Sequence, residues 1–230
     1  MKSLLFYSGG KDSIALLHLM REQLDDCLVV WINTGDPLPE VREHMDSVKS
    51  RVPMFREVVS DVHADIEQNG YPADLSPVSS GRAEKSKARP WDQCCNNNIW
   101  WPTQQLLNEC RGEYSTIIRG QKGSDRLRAS TYSGQHIDGF DILYPLEGWS
   151  DDDVFAYIEE NGLDLPAHYK SFKSSIDCWA CTAHTQDNRG KLAYLRAHHP
   201  EKGHELARRM TAIIHEAERE LHYMHRFTEV

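Results

Sequence analysis

The sequence predicts an α/β protein: a doubly wound, mainly parallel sheet of about five strands, flanked by helices and continued by a helical C-terminal arm. Two observations carry this. Short apolar runs alternate with longer segments whose apolar residues recur at helical spacing, the order expected of strand–helix–strand units. The runs are apolar throughout instead of at every second residue, which marks strands covered on both faces, as in a parallel sheet.

Taken in order, "KSLLFY" (2–7) reads as the first strand, and 12–24 as an amphipathic helix with Ile14, Leu16, Leu17, Leu19 and Met20 on its apolar side. "CLVVWIN" (27–33) is a second buried strand, closed by "TGDPLPE". Pro39 suits the first turn of a helix over 39–50. "FREVVS" (55–60) is a weaker third strand. From about 70 to 98 the periodicity fails and Ser, Pro and charge accumulate, which predicts a long functional loop. A helix follows near 99–111, with Trp100 and Trp101 expected in the core. The strands "STIIRG" (115–120) and "DILYPL" (141–146) come next. Ser150 with Asp153 three residues on is a helix-capping pattern, and Gly162 is a stop. The segment from His204 to Phe227 reads as one long amphipathic helix.

Length and composition fit one domain, with a core over about 1–185 and an arm over about 186–230. No apolar run approaches the ~20 residues that a membrane helix needs, and the N-terminal residues lack a signal-peptide pattern. The expectation is a cytoplasmic protein with reduced thiols. A net charge of -9 argues against a broad grip on nucleic acid and leaves only a local basic patch for a nucleic-acid acceptor. Oligomeric state stays open, a homodimer included.

The first strand runs into "SGGKDS" (8–13). Gly9 and Gly10 let backbone amides approach an anion unobstructed, and the following helix turns its positive dipole end to the same point. Lys11 adds charge, while Ser8 and Ser13 add hydroxyls. Asp12 would repel a phosphate, so it either holds magnesium or caps the helix. The Gly-x4-Gly-Lys-Ser/Thr spacing of a Walker loop is absent.

Cysteine usage is the second signal. Cys94-Cys95 and Cys178-x-x-Cys181 are two pairs far apart in sequence, and four sulfurs suit tetrahedral zinc or an iron–sulfur cluster. Adjacent cysteines bind one metal awkwardly because their side chains diverge; two unrelated buried pairs remain the plain alternative. Cys27 and Cys110 read as core thiols, the late histidines as surface residues, and Trp179 as a shield over the sulfur site. Arg119, Lys122, Arg126 and Arg128 form a basic run after a buried strand, suited to phosphate or sulfate oxygens. Arg82, Lys85, Lys87 and Arg89 form another before the cysteine pair.

Together these motifs resemble the phosphoadenylylsulfate (PAPS) reductase family, within the superfamily of ATP pyrophosphatases. "SGGKDS" looks like the pyrophosphate loop of that superfamily. "NTGDPLPEV" resembles its "DTG…PET" loop, with Asn33 where an aspartate is common, and "RGQKGSDRLR" resembles its Gly-x-Arg…Arg substrate loop at approximate spacing. "YPLEGWSDDDVFAYIEENGLDLPAHY" follows the family's "PL…W…DVW.YI…N.LP…Y" segment. Cys-Cys followed by "CWACT" resembles the cluster pattern of adenylylsulfate (APS) reductases.

The resemblance implies an adenine-nucleotide site built from Ser8, Gly9, Gly10, Lys11, Asp12, Ser13, Asn33, Thr34, Gly35, Gly120, Lys122, Arg126 and Arg128. Lys11 and Asp12 would be its catalytic pair, with Mg2+ on Asp12. It also implies a 4Fe-4S cluster on Cys94, Cys95, Cys178 and Cys181, and ATP or adenylylsulfate as substrate. The family's reductases attack sulfur with a cysteine on a C-terminal tail, and this chain has none after Cys181. The intact loop resembles enzymes that split ATP. The leading expectation is therefore cleavage of ATP to AMP and pyrophosphate, activating a substrate for sulfur transfer from an unidentified sulfur donor. The alternatives are an APS/PAPS reductase using an external thiol reductant, and an inactive nucleotide-binding module with structural zinc.

Overall fold

A computed structural model describes residues 2–75, 87–125, 130–186 and 188–228. Five strands lie parallel in the order β3 (Met54–Val59), β2 (Cys27–Asn33), β1 (Ser3–Phe6), β6 (Thr116–Ile118) and β8 (Phe140–Leu143). All five coincide with runs predicted as strands. A sixth, β7 (His136–Ile137), pairs antiparallel at the edge and went unpredicted, because two residues carry no periodicity.

The inner strands β1, β2 and β6 split their side chains between two cores. Leu5, Val29 and Ile118 point to one face, against α1 (Lys11–Leu19), α2 (Pro39–Arg51), α3 (Val62–Asn69) and α6 (Asp151–Glu160). Leu4, Val30, Ile117 and Ile142 point to the other, against α5 (Trp101–Cys110). Burial on both faces is why these strands lack alternation. The helix predicted over 12–24 ends earlier, at Leu19, and a 3-10 turn, Arg21–Asp26, leads into β2. Pro39 does occupy the first turn of α2. The Ser150 hydroxyl accepts from the Asp153 amide and the Asp153 carboxylate accepts from the Ser150 amide, a complete capping box.

The segment predicted as irregular is partly structured. Strands β4 (Tyr71–Ala73) and β5 (Ala88–Pro90) form a small parallel pair, and β5 runs into α4 (Trp91–Cys95), which carries the cysteine pair. A π-helical turn, Asn96–Trp100, joins α4 to α5. Proline-containing strands of three residues leave no readable pattern, which explains the miss. The long helix predicted from His204 to Phe227 lies within α8 (Pro200–Thr228), which a shorter helix, α7 (Lys191–His198), precedes, with Leu195 and Leu206 in the main core. Among the described residues, no helix is long and apolar enough to cross a membrane.

Topology fixes where a ligand can sit. The chain lays down β1, β2 and β3 in one direction, then returns to place β6 on the other side of β1. At such a reversal the connections diverge and leave a crevice beyond the carboxyl ends of the strands.

Candidate functional site

That crevice is a cleft of about 830 Å³. Its lining includes Ser8 and Ser13 from the loop after β1, Thr34 after β2, Arg119 and Gly120 after β6, and Asp177 and Cys178 from the C-terminal part of the core.

The loop is shaped as its sequence suggests. Gly9 has φ of 79°, and a Cβ there would stand 2.9 Å from Met45 Cε. Gly10 caps α1 with extended backbone and no side-chain partner for the helix amides. The Ser13 hydroxyl donates to the Gly10 carbonyl at 2.9 Å, and the Lys11 amide donates to the Tyr169 hydroxyl at 2.8 Å. A Cβ on Gly120 would stand 3.1 Å from the Asp12 carbonyl, so the β6 loop lies directly against the start of α1.

Lys11 and Asp12 do not stand as two separate functional groups. Lys11 Nζ donates to both Asp12 oxygens, at 3.0 and 2.8 Å, and to Asp151 Oδ1 at 2.8 Å. Lys122, only 2 % exposed, donates to Asp12 Oδ1 at 2.7 Å and pairs with Asp125 at 2.7 Å. Burial pulls the Lys122 ammonium down, yet the Asp12 and Asp125 carboxylates outweigh it and hold its pKa above the ordinary lysine value. Two ammonium groups thus grip the carboxylate expected to hold magnesium. Asp125 and Asp151 complete a charge network around the α1 N-terminus.

Asn33, Thr34 and Gly35 divide their work. The Asn33 amide donates to Glu57 at 2.6 Å and its oxygen accepts from the Gly35 amide at 2.9 Å, so Asn33 braces the turn. Thr34 reaches the cleft and hydrogen-bonds Cys178. Arg126 and Arg128 lie outside the described residues, as do Arg82 and Lys85 of the earlier basic run.

The fold brings the two cysteine pairs to one place. Cys178 and Cys181 both oppose ionisation of Cys94, and Cys181 opposes that of Cys95. Burial pushes Cys95 and Cys178 up to about 12, and Cys94 also well above an ordinary thiol. Two buried cations stand beside them. Lys191 Nζ donates to the Cys181 carbonyl at 2.7 Å and favours the Cys178 thiolate, while Arg89 favours thiolates at Cys94 and Cys95. Among the described residues no three His, Cys, Asp or Glu side chains are arranged to hold a single metal ion. Trp179 is buried and its indole donates to the Asp36 carbonyl at 2.9 Å, closing the "CWAC" turn against the β2 loop.

Cys27 and Cys110 are buried in the cores, as their surroundings predict. Trp100 and Trp101 are not core residues: they are 48 % and 58 % exposed, since the π turn rotates them away from the sheet. Sequence reasoning assigned no role to Tyr169, Asp151, Asp177 or Lys191. Tyr169 closes the segment that begins at Tyr144 and Asp177 adjoins the CxxC pair, but nothing local shows that either meets the glycine loop.

Against known proteins, residues 2–184 match the model of the phosphoadenosine phosphosulfate reductase domain. The chain belongs to this family. It is 24% identical over 192 residues to the adenosine 5'-phosphosulfate reductase of Staphylococcus haemolyticus, covering 81% of this chain and 72% of that protein. Sulfate adenylyltransferase subunit 2 of Streptomyces lavendulae is 23% identical over 203 residues, a match spanning 76% of this chain and 58% of the relative. In fold, the chain is similar to the phosphoadenylyl-sulfate reductase of Candida auris solved with phosphate, with a TM-score of 0.53 and 15% identity. That likeness covers 76% of this chain and 80% of the other. Membership of this family and similarity to adenosine 5'-phosphosulfate reductases imply an adenine nucleotide as ligand.

Proposed function

We propose that the chain is a sulfonucleotide reductase, taking an adenylylsulfate-type nucleotide and a thiol supplied from outside these 230 residues. One observation carries the reading: the glycine loop and Cys178 line the same cleft, so a nucleotide phosphate at α1 points its outer group at the sulfur site. The relatives named adenosine 5'-phosphosulfate reductase support it.

In this reading the α1 amides, Ser8 and Ser13 hold the 5'-phosphate, and the positive helix end stabilises it as the leaving group. The external thiolate attacks the sulfur of the sulfuryl group. A sulfur–sulfur bond forms, the bond from that sulfur to the bridging oxygen breaks, and the adenosine phosphate departs with the electron pair. A second thiolate then attacks the thiol-derived sulfur of the resulting thiosulfonate, breaking the sulfur–sulfur bond to give a disulfide and release sulfite with the electron pair. Lys11 and Lys122 keep Asp12 neutralised, so its carboxylate does not expel the anion.

Four thiols gathered beside Lys191 and Arg89, Cys94 buried and the others partly so, suit an anionic sulfur-ligated centre better than a site for free reactive cysteines. Cys94, Cys95, Cys178 and Cys181 would hold a 4Fe-4S cluster. When bound, that cluster supplies fixed charge beside the outer end of the nucleotide.

A second reading, cleavage of ATP to AMP and pyrophosphate, is favoured by the complete Ser8–Ser13 loop and by the sulfate adenylyltransferase relatives. One assay separates the two. Anaerobically purified protein given adenosine 5'-phosphosulfate and dithiothreitol is expected to release sulfite. Absence of sulfite from this nucleotide and its 3'-phosphorylated form, with pyrophosphate released from ATP and Mg2+, would replace the first reading by the second.

A further inference from the structure

A second cavity, of about 500 Å³, lies on the outer side of α4 and the π turn. Asp92, Gln93, Asn96, Asn97 and Trp100 line it, while Cys94 and Asn98 of the same segment are buried. Among the described residues, Trp100 alone borders both this cavity and the cleft, and the function proposed above makes no use of the space. A π turn breaks helical regularity and re-aims side chains; here it leaves Trp100 48 % exposed. Trp91 steadies that indole, with ring centroids 6.3 Å apart and planes at 78°.

Hydrogen bonds behind the cavity decide what its lining can still offer. Arg89 borders it, but its guanidinium is already spent: Nε donates to the Gly70 carbonyl at 3.0 Å and both terminal nitrogens donate to Asp65. An anion would therefore find no free cation among the described lining residues. Asn69 and Asn97 donate their Nδ2 groups to Asp65 Oδ1 at 2.9 and 2.8 Å. A carboxylate only accepts, so these bonds fix both amides and leave their carbonyl oxygens over. Among the described residues, Asn69 Oδ1 has no donor and Asn97 Oδ1 has only Asn96 Nδ2, at 3.5 Å. Asp92 makes no side-chain hydrogen bond or ion pair among them. What remains is one carboxylate, two fixed carbonyl acceptors, the amides of Gln93 and Asn96, and an aromatic ring. Acceptors, negative charge and an indole together call for a positive ligand that carries N–H donors. A metal ion suits them less, since no three described His, Cys, Asp or Glu side chains are arranged to hold one. We propose that this cavity binds a small organic cation, an ammonium or guanidinium group, held by Asp92, the amide oxygens and the Trp100 ring.

Magnetic resonance titration of the whole 15N-labelled chain tests this, with agmatine as a free amine and N-acetylarginine amide as the side chain of a partner. Saturable shifts are expected at the side-chain amides of Gln93 and Asn96 and at the Trp100 indole, with Kd about 1 mM. That is the scale of one exposed cation–π contact plus one charge-assisted hydrogen bond. Binding of either probe supports the site, and the tighter one identifies the source of the cation. Butylurea, which keeps N–H donors without the charge, should not bind. Asp92→Asn should weaken binding at least about tenfold, and Gln93→Glu, which adds a carboxylate, should tighten it. The chain carries 35 acidic and 26 basic residues, so diffuse attraction needs its own control: Glu22→Gln, at an exposed acid in the turn before β2, should change nothing. No saturable shift at these groups, equal binding of butylurea, or an equal loss in Asp92→Asn and Glu22→Gln overturns the site. None of these results touches the reductase reading, which sulfite release decides.

Discussion

Asp65 shows how one residue can hold a functional helix in place. Its carboxylate accepts from Arg89, from Asn69 at 2.9 Å, from Asn97 at 2.8 Å and from Asn98 at 2.8 Å, tying α3 to the strand and turn that flank Cys94 and Cys95. Burial pushes this carboxyl up, but the Arg89, Asn97 and Asn69 hydrogen bonds outweigh it and hold its pKa at about 2. A carboxyl depressed by folding stabilises the fold fully above its unfolded value near 3.8, and that contribution fades as pH falls toward 2. The shift corresponds to about 2 kcal/mol. Urea unfolding should therefore show Asp65→Asn less stable than the parent by roughly that amount at pH 7. The gap should close as the pH is lowered through 4 toward 2; a gap independent of pH would refute this account. None of these partners is near Asp65 in sequence except Asn69, so the bracing behind the cysteine helix could not be read locally.

Among the elements, α8 has the least evident task, because much of its last three turns is exposed. Its anchor is Glu216, 5 % exposed, whose carboxylate accepts from the Lys87 amide at 2.8 Å and the Ala88 amide at 3.1 Å. These amides lie at the start of β5 and just before it, in the strand that leads into the cysteine helix. The long amphipathic pattern of α8 is plain in the sequence; its grip on a strand about 130 residues earlier is not. Glu216→Ala removes a buried carboxylate that both amides share and should cost about 1–3 kcal/mol. Hydrogen exchange reads it directly: amides 87 and 88 should lose protection more than those of β1. Uniform change across both strands would show that the contact is incidental.

Across the whole molecule, the four cysteines come from parts far apart in the sequence, α4 and the turn after Tyr169. If they share one cluster, loading it must stabilise the fold by mass action and by cross-linking these segments. Iron- and sulfide-reconstituted protein should melt above the metal-free form, and Cys178→Ser should lose both bound iron and that increment. Full iron retention in Cys178→Ser would remove this residue from the ligand set. The inner parallel strands were legible because burial on both faces writes itself into consecutive residues, and the glycine loop was legible because close approach to backbone demands small residues in one short stretch. The short strands, the π turn and the exposed tryptophans were not, since each depends on what packs alongside.

By itself, then, the sequence determined the sheet, the loop at its centre and the identity of the four thiols, all of which rest on local composition and on the few residue types that such backbone and chemistry accept. Only the tertiary structure decided that the thiols share a neighbourhood with the glycine loop, that Lys11 and Lys122 converge on Asp12, and that Arg119 faces the cleft with no ion pair among the described residues. Those are relations between segments far apart in the chain, and charge compensation at a distance leaves no trace in local spacing.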